Sequence, residues 1–189
     1  MRITGGEFCG RRLQTVQADG LRPTQDRVRE ALFSSLADRV PGCAFLDLYA
    51  GAGGVGIEAW SRGATRVCWV EQNRRVFRVL DENIRSLSDG AVDATLVPCC
   101  VSVEAFCRRP VPAPFDIVFA DPPYARNRPQ ALDVGVLLKG DRLLRSGGLL
   151  VLEQGADEAI PEGCKGWQLL RERKYGSSML RFFEKTGAE

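Results

Sequence analysis

The stretch LDLYAGAGGVG, residues 46–56, holds an apolar run, one aspartate and four glycines. The run AFLDLY (44–49) reads as a strand buried on both faces, and GVGIEAWSR, which overlaps the last glycines, as a helix. A strand that stops at a glycine turn and re-enters as a helix is the opening unit of a doubly wound sheet, with its ligand at the carboxyl ends of the strands. Gly51, Gly53 and Gly56 fit G-x-G-x-x-G, and Glu71 stands twenty residues beyond Gly51. Glycines lack the Cβ that would hold a ligand away from the backbone, and a helix N-terminus presents unpaired N–H groups. Glu71, closing the next strand, is placed to accept hydrogen bonds from ribose hydroxyls. NAD and S-adenosylmethionine both carry a ribose, so the loop and Glu71 leave the two open.

The rest of the chain continues the pattern. Further strands are expected at RVCWV (66–70), ATLV (94–97), FDIVFA (115–120) and GLLVLE (148–153). Between them lie the helical stretches NRRVFRVLDENIRSL, SVEAFCRR and, roughly, PQALDVGVLLK. This alternation predicts an α/β fold, a parallel sheet with helices on both faces. WQLLRERKY (167–175) and SMLRFFE (178–184), joined through Tyr175-Gly176-Ser177, read as a terminal hairpin, so the sheet is expected to be seven-stranded and mostly parallel. Ahead of it, MRITGGEFCGRRLQTVQ alternates and is glycine-rich, which suggests a small β element. A helix follows, with Thr24 as its N-cap, Val28, Ala31, Leu32 and Leu36 as its apolar face, and Pro41-Gly42 as its end. The chain therefore divides into an N-terminal β/α appendage, 1–41, and an α/β domain, 42–189.

Composition narrows the chemistry. The sequence has no histidine, which excludes serine–histidine triads, histidine general bases and histidine-ligated metals. Reactions must run on carboxylates, backbone groups or a cofactor with its own reactivity. The seven cysteines are scattered without a C-x-x-C, so free thiols, no metal and a reducing, cytoplasmic setting are expected. No apolar stretch is long enough for a membrane span, and no leader pattern opens the chain. The net charge is only +2, but Arg2, Arg11, Arg12, Arg22, Arg27 and Arg29 gather in the appendage against Glu7, Asp19, Asp26 and Glu30. No unpartnered apolar helix is left over, and a monomer is expected.

Two features discriminate between the cofactors. Asp47 lies inside the first strand, four positions before Gly51. A carboxylate there repels a pyrophosphate and attracts an amino-acid ammonium, which S-adenosylmethionine has and NAD lacks. A local backbone cap is the competing role for Asp47. The second feature is Asp121-Pro122-Pro123-Tyr124, which closes the fourth apolar strand on the same edge of the sheet. Two prolines fix an extended elbow, holding the Asp121 carboxylate and the Pro122 carbonyl as rigid acceptors for an –NH₂ group. Tyr124 offers a face on which a ring can stack. Together with the glycine loop, this reads as methyl transfer from S-adenosylmethionine to a planar amine. Adenine N6 and a protein glutamine amide remain alternatives within that chemistry; an NAD-dependent oxidoreductase or a non-catalytic nucleotide-binding module is the alternative outside it.

LDLYAGAGGVGIEAWSRGA, the DPPY elbow, GLRPTQDRVREALFSSL, MRITGGEFCGRRL and KYGSSML together resemble the family of bacterial 16S ribosomal RNA guanine-N2 methyltransferases, small-subunit methyltransferase D. RPTQDRVREALF is the specific marker; the loop and DPPY are shared with many amino-methyltransferases. The resemblance implies the Rossmann-like class I S-adenosylmethionine-dependent methyltransferase fold. It also implies methylation of the N2 amine of one guanine of 16S ribosomal RNA in an assembled or assembling small subunit. Position by position it assigns cofactor contacts to Asp47, Tyr49, Gly51, Gly53 and Glu71, and the target guanine to Asp121, Pro122 and Tyr124. Related enzymes carry Asp or Asn near the end of the third strand for the adenine amine; here Cys100 stands there, leaving the Val101 backbone N–H to hold adenine. The arm residues Arg11, Arg12, Arg22, Arg27 and Arg29, with Arg126 and Arg128 just past DPPY, are expected to meet RNA phosphates.

Overall fold

The computed structural model describes residues 1–16, 26–88, 94–122, 142–156 and 166–186. These residues form four α-helices and seven strands: α1 (Asp26–Leu36), β1 (Ala44–Leu48), α2 (Gly54–Ser61), β2 (Arg66–Val70), α3 (Arg74–Ser88), β3 (Thr95–Cys99), α4 (Val103–Cys107), β4 (Phe115–Ala120), β5 (Leu144–Gly155), β6 (Trp167–Tyr175) and β7 (Ser178–Lys185). The expected N-cap Thr24 and the expected helix PQALDVGVLLK lie outside the described residues. No helix among the described residues is long and apolar enough to cross a membrane.

All seven strands join one sheet in the order β3-β2-β1-β4-β5-β7-β6. The first five run parallel, and β7 pairs antiparallel with both β5 and β6. The order reverses between β1 and β4, where a doubly wound sheet opens its crevice. Side chains alternate across the sheet. Phe45, Ile117, Phe119, Leu149, Val151, Leu180 and Phe182 build one core with α1, α2 and α3, while Leu46, Leu48, Val118, Leu150, Leu152 and Phe183 build the other with α4. The central strands are apolar on both faces because both are covered.

The appendage is part of the first core. Ile3, Phe8 and Leu13 are buried together with Val28, Leu32, Phe33 and Leu36 of α1 against β1 and α2. The buried face of α1 is thus Val28, Arg29, Leu32, Phe33 and Leu36. Ala31 is only half-buried. The expected β element consists of an isolated antiparallel bridge between Arg2 and Arg12. Its turn docks on the end of α2: a Cβ at Gly6 would lie 1.9 Å from the Ser61 carbonyl oxygen. Ser61 Oγ accepts from the Phe8 N–H and donates to the Gly5 carbonyl, at 2.9 and 2.7 Å.

Candidate active site

At the carboxyl end of β1 the chain leaves the sheet through Tyr49, which has φ 60°. That left-handed conformation is unfavourable for a bulky side chain. Gly51 and Gly53 follow at φ 56° and 88°, and Gly53 is the N-cap of α2. The three glycines of the motif have different work. A Cβ at Gly53 would lie 2.2 Å from Leu80, and one at Gly56 only 2.1 Å from Trp69 Nε1, so both permit close packing of loop and helix on the fold. At Gly51 a Cβ would meet nothing within 4 Å. Gly51 is the glycine that faces open space, as close backbone approach to a ligand requires.

Two carboxylates brace the loop. Asp47 Oδ2 accepts from the Gly56 N–H at 2.8 Å, which fulfils the local-cap alternative while leaving the carboxylate beneath the loop. Burial, the larger cause, and the Glu71 charge push Asp47 up to about 7, against the opposing effect of the Gly56 hydrogen bond. Glu71 Oε2 accepts from the Gly51 N–H at 3.0 Å and its Oε1 from the Asn73 N–H at 2.7 Å. Each oxygen holds one backbone donor and retains acceptor capacity. Asp47, packed beneath the loop, and Glu71, at the rim of the next strand, fit an ammonium and a ribose diol. Beyond β3, Cys100 is exposed and Val101 half-buried, and Ser102 caps α4 by accepting from the Ala105 N–H at 3.2 Å.

Asp121 and Pro122 follow β4, the strand on the other side of the switch point. Asp121 is partly exposed. Burial of its carboxyl, with the charges of Glu153 and Asp47, raises its pKa well above the usual carboxylate range. Glu153 reaches it from β5: Ala120 pairs with Leu152, so the next residues are neighbours. Asp47, Asp121 and Glu153 share the sheet face of Phe119 and Val151 by alternation. Tyr124, Arg126, Arg128 and Arg22 lie outside the described residues.

The arm arginines separate. Arg12 and Arg27 are exposed. Arg11 is exposed but ties its Nη2 to the Ser86 carbonyl near the end of α3, at 2.7 Å, a favourable place for a cation. Arg29 corrects the expectation of a phosphate contact: it is 1% exposed. Its guanidinium meets Glu58 at 3.2 Å, Asp26 at 2.9 Å and the Arg2 carbonyl. Glu58, fully buried, also accepts from Thr4 and from Arg62. A charge inside the core is held by partners and cannot serve a ligand.

Three polar residues of this region escape the sequence reading. Glu153 carries a usable signal, an acid within an apolar strand, the same signal that marks Asp47. Asn83 stands on the buried face of α3, between Leu80 and Leu87. It holds the Gln14 backbone from both sides and donates to the Ala52 carbonyl of the glycine loop, each near 3.0 Å. Glu58 is hidden inside an apolar helix.

The chain is similar to known proteins along nearly its whole length. The family described as conserved hypothetical protein 95 matches residues 1–184. Ribosomal RNA small subunit methyltransferase D of Escherichia coli K12 is 34% identical, over 98% of this chain and 90% of its own length. The protein of that name from Haemophilus influenzae is 34% identical, over 97% and 93%. Among solved structures, a methyltransferase from Escherichia coli superposes with TM-score 0.83 at 30% identity, covering 100% of this chain and 99% of its own. A hypothetical protein from Thermus thermophilus gives 0.78 at 34%, over 97% and 99%. The Rossmann-like methyltransferase fold is also that of an S-adenosylmethionine-dependent methyltransferase from Streptococcus mutans, at TM-score 0.68 and 16% identity over 87% and 50%.

Proposed function

The chain belongs to the ribosomal RNA small subunit methyltransferase D family, and from that premise we propose that it methylates the exocyclic N2 amine of a guanine in 16S ribosomal RNA. S-adenosylmethionine is the donor, and the substrate is an assembled or assembling small subunit. The observation that carries this reading is the meeting, at one switch point, of an open glycine loop, the two carboxylates that brace it and the Asp121-Pro122 elbow.

Asp47 holds the ammonium of the donor, Glu71 its ribose, the Gly51 backbone its approach, and the Val101 N–H its adenine. The donor supplies an electrophilic methyl group on a sulfonium and is left as S-adenosylhomocysteine, while the methylated amine gives up one proton to the adjacent Asp121 carboxylate. The chain supplies the nucleophile's geometry. The exocyclic amine of guanine is weakly nucleophilic because its lone pair is delocalised into the ring. Accepting hydrogen bonds from both N–H groups, the Asp121 carboxylate and the Pro122 carbonyl draw the nitrogen towards tetrahedral geometry. A hydrogen bond to the charged acceptor contributes roughly 1.5–3 kcal/mol, and alignment for in-line attack roughly 7–11 kcal/mol in the best cases. The base reaches the elbow by leaving its stack, at a cost of a few kcal/mol unless it is already exposed. Tyr124 stacking offsets roughly 1–3 kcal/mol of that cost. Arg12 and Arg27, with Arg126 and Arg128, hold the phosphates.

The test uses labelled S-adenosylmethionine with small subunits from cells lacking the methyltransferase, beside naked RNA, DNA and protein. Label recovered as N2-methylguanosine in subunit RNA supports the proposal. Label in adenine, DNA or glutamine keeps the elbow chemistry and discards the guanine. Tight NAD binding without methyl transfer overturns the cofactor.

A further inference from the structure

β6 is the outermost strand of the sheet, exposed from residue 168 to 174. Its pairing with β7 is broken once: Leu169 pairs with Phe183 and Arg171 with Phe182, which leaves Leu170 as an extra residue. Such a bulge re-aims the side chains that follow it. Trp167 and Leu169 lie on the face of Phe183, whereas Arg171, Arg173 and Tyr175 are turned to the face of Phe182 and Leu180. That is the face on which Asp121 and Glu153 stand. Arg173 pairs with Leu180 and Leu180 with Glu153, so Asp121, Glu153, Leu180 and Arg173 form one row across four strands. At about 4.8 Å per strand, Arg173 stands about 14 Å from Asp121. β6 also runs parallel to β5, through their shared antiparallel partner, so its last residues lie at the carboxyl edge, beside the elbow.

The charges of β6 are unequal in availability. Glu172 accepts from the buried Arg181 at 2.7 Å, and Arg171 lies over the Phe182 ring, 5.4 Å from its centroid. Arg173 and Lys174 are exposed and form no ion pair among the described residues, one on each face of the strand at the catalytic rim. We propose that Arg173 and Lys174 make the end of β6 a second phosphate-binding surface, which holds the RNA backbone flanking the target base. This rests on the reading of the protein as an RNA methyltransferase. A base drawn out to the elbow leaves its neighbouring phosphates lying across the carboxyl edge, and cations along that edge hold them there without reading sequence. Charged residues on an edge strand also block strand addition; that role alone predicts no effect on the substrate.

The test compares wild type, Arg173→Gln/Lys174→Gln, and Arg39→Gln/Arg145→Gln, which removes two arginines from the opposite edge of the sheet. Methylation of unmethylated small subunits is measured over a range of salt, with cofactor affinity and thermal midpoint recorded for each protein. Loss of two phosphate contacts raises KM for subunits severalfold in the β6 variant. The slope of log affinity against log salt flattens by about 1.4, at about 0.7 per contact on single strands. kcat at saturation, cofactor affinity and midpoint stay as in wild type; the opposite-edge variant gives up the Arg39–Glu184 and Arg145–Asp116 ion pairs and keeps the wild-type KM, salt slope, kcat and cofactor affinity. A β6 variant that matches the opposite-edge variant in KM and salt slope, while wild type methylates subunits, overturns the surface and leaves the function intact. Wild type that methylates no RNA overturns both.

Discussion

Asp47 sits inside the sheet, 1% exposed, with the Gly56 N–H as its hydrogen bond and no cation paired to it among the described residues. Its carboxyl is raised from 3.8 to about 7. A folded-state pKa above the unfolded one means that the associated stability is fully present below about pH 4 and lost as pH rises towards 7. Asp47→Asn keeps the acceptor for Gly56 and removes the charge. Calorimetry of the ligand-free protein should show the variant more stable than wild type at pH 8 by a few kcal/mol, at about 1.4 kcal/mol per pKa unit, with the gain vanishing near pH 4. The same variant should bind S-adenosylmethionine more weakly. No gain at pH 8 would show that the buried charge is already compensated. Asp121 carries the complementary expectation. The elbow works only when its carboxylate is ionised, and burial raises its pKa, so the methylation rate should climb with pH through a value well above the ordinary carboxylate range. Asp121→Ala should abolish transfer and leave cofactor affinity nearly unchanged; substantial turnover in that variant would remove Asp121 from the chemistry. Both aspartates could be read from the sequence because acids are rare in apolar strands. That Asp47 accepts from the Gly56 N–H of α2 could be weighed but not decided there, since a backbone cap and an ammonium contact ask for the same residue.

Strands and helices were largely legible because central strands covered on both faces are continuous apolar runs and α3 is strongly amphipathic, with Val76, Leu80, Ile84 and Leu87 buried. The exceptions have local causes. β3 runs on to Cys99 through Pro98, where the sequence suggests an end at 97. The strand is at the edge of the sheet, and there a proline's missing donor costs little. The bulge at Leu170 leaves no mark in WQLLRERKY, whose side chains fit strict alternation equally well. The glycine motif is legible as a motif, but not the division of labour within it. Gly51→Ala places a methyl group in open space at φ 56°; the left-handed backbone should cost the fold about 1–2 kcal/mol and cofactor affinity should fall. Gly56→Ala drives a methyl group onto Trp69, an overpacking that costs typically about 1–3 kcal/mol. Urea unfolding beside cofactor titration separates them. A Gly51 variant with unchanged affinity would return that glycine to a purely conformational role.

At the scale of the whole molecule, the N-terminal 41 residues are both a covering of the core and a candidate RNA surface, and neighbouring arginines of α1 divide those tasks. The apolar face of α1 was legible from its spacing. That Arg29 belongs to this face was not, because its partner Glu58 lies 29 residues away inside α2, and no local pattern pairs them. Arg29, Glu58 and Arg62 join α1 to α2, while Thr4 brings the arm to the same carboxylate. Breaking a buried ion pair from one side strands the other charge, at about 3–5 kcal/mol; Arg62 and Thr4 still hold Glu58, so Arg29→Gln should cost about 3 kcal/mol. Well below its lowered melting temperature, this variant should keep the wild-type KM for small subunits. Arg27 lies two positions earlier and is exposed. Arg27→Gln should leave stability within about 0.5 kcal/mol, as for surface changes generally, and raise KM for subunits. Thermal melts and methylation kinetics on the two variants therefore form a crossed design: stability moves with one arginine and substrate affinity with the other. If Arg29→Gln weakened subunit binding without loss of stability, the buried network would not be what joins arm to core. If Arg27→Gln changed neither quantity, α1 would contribute only its inward face.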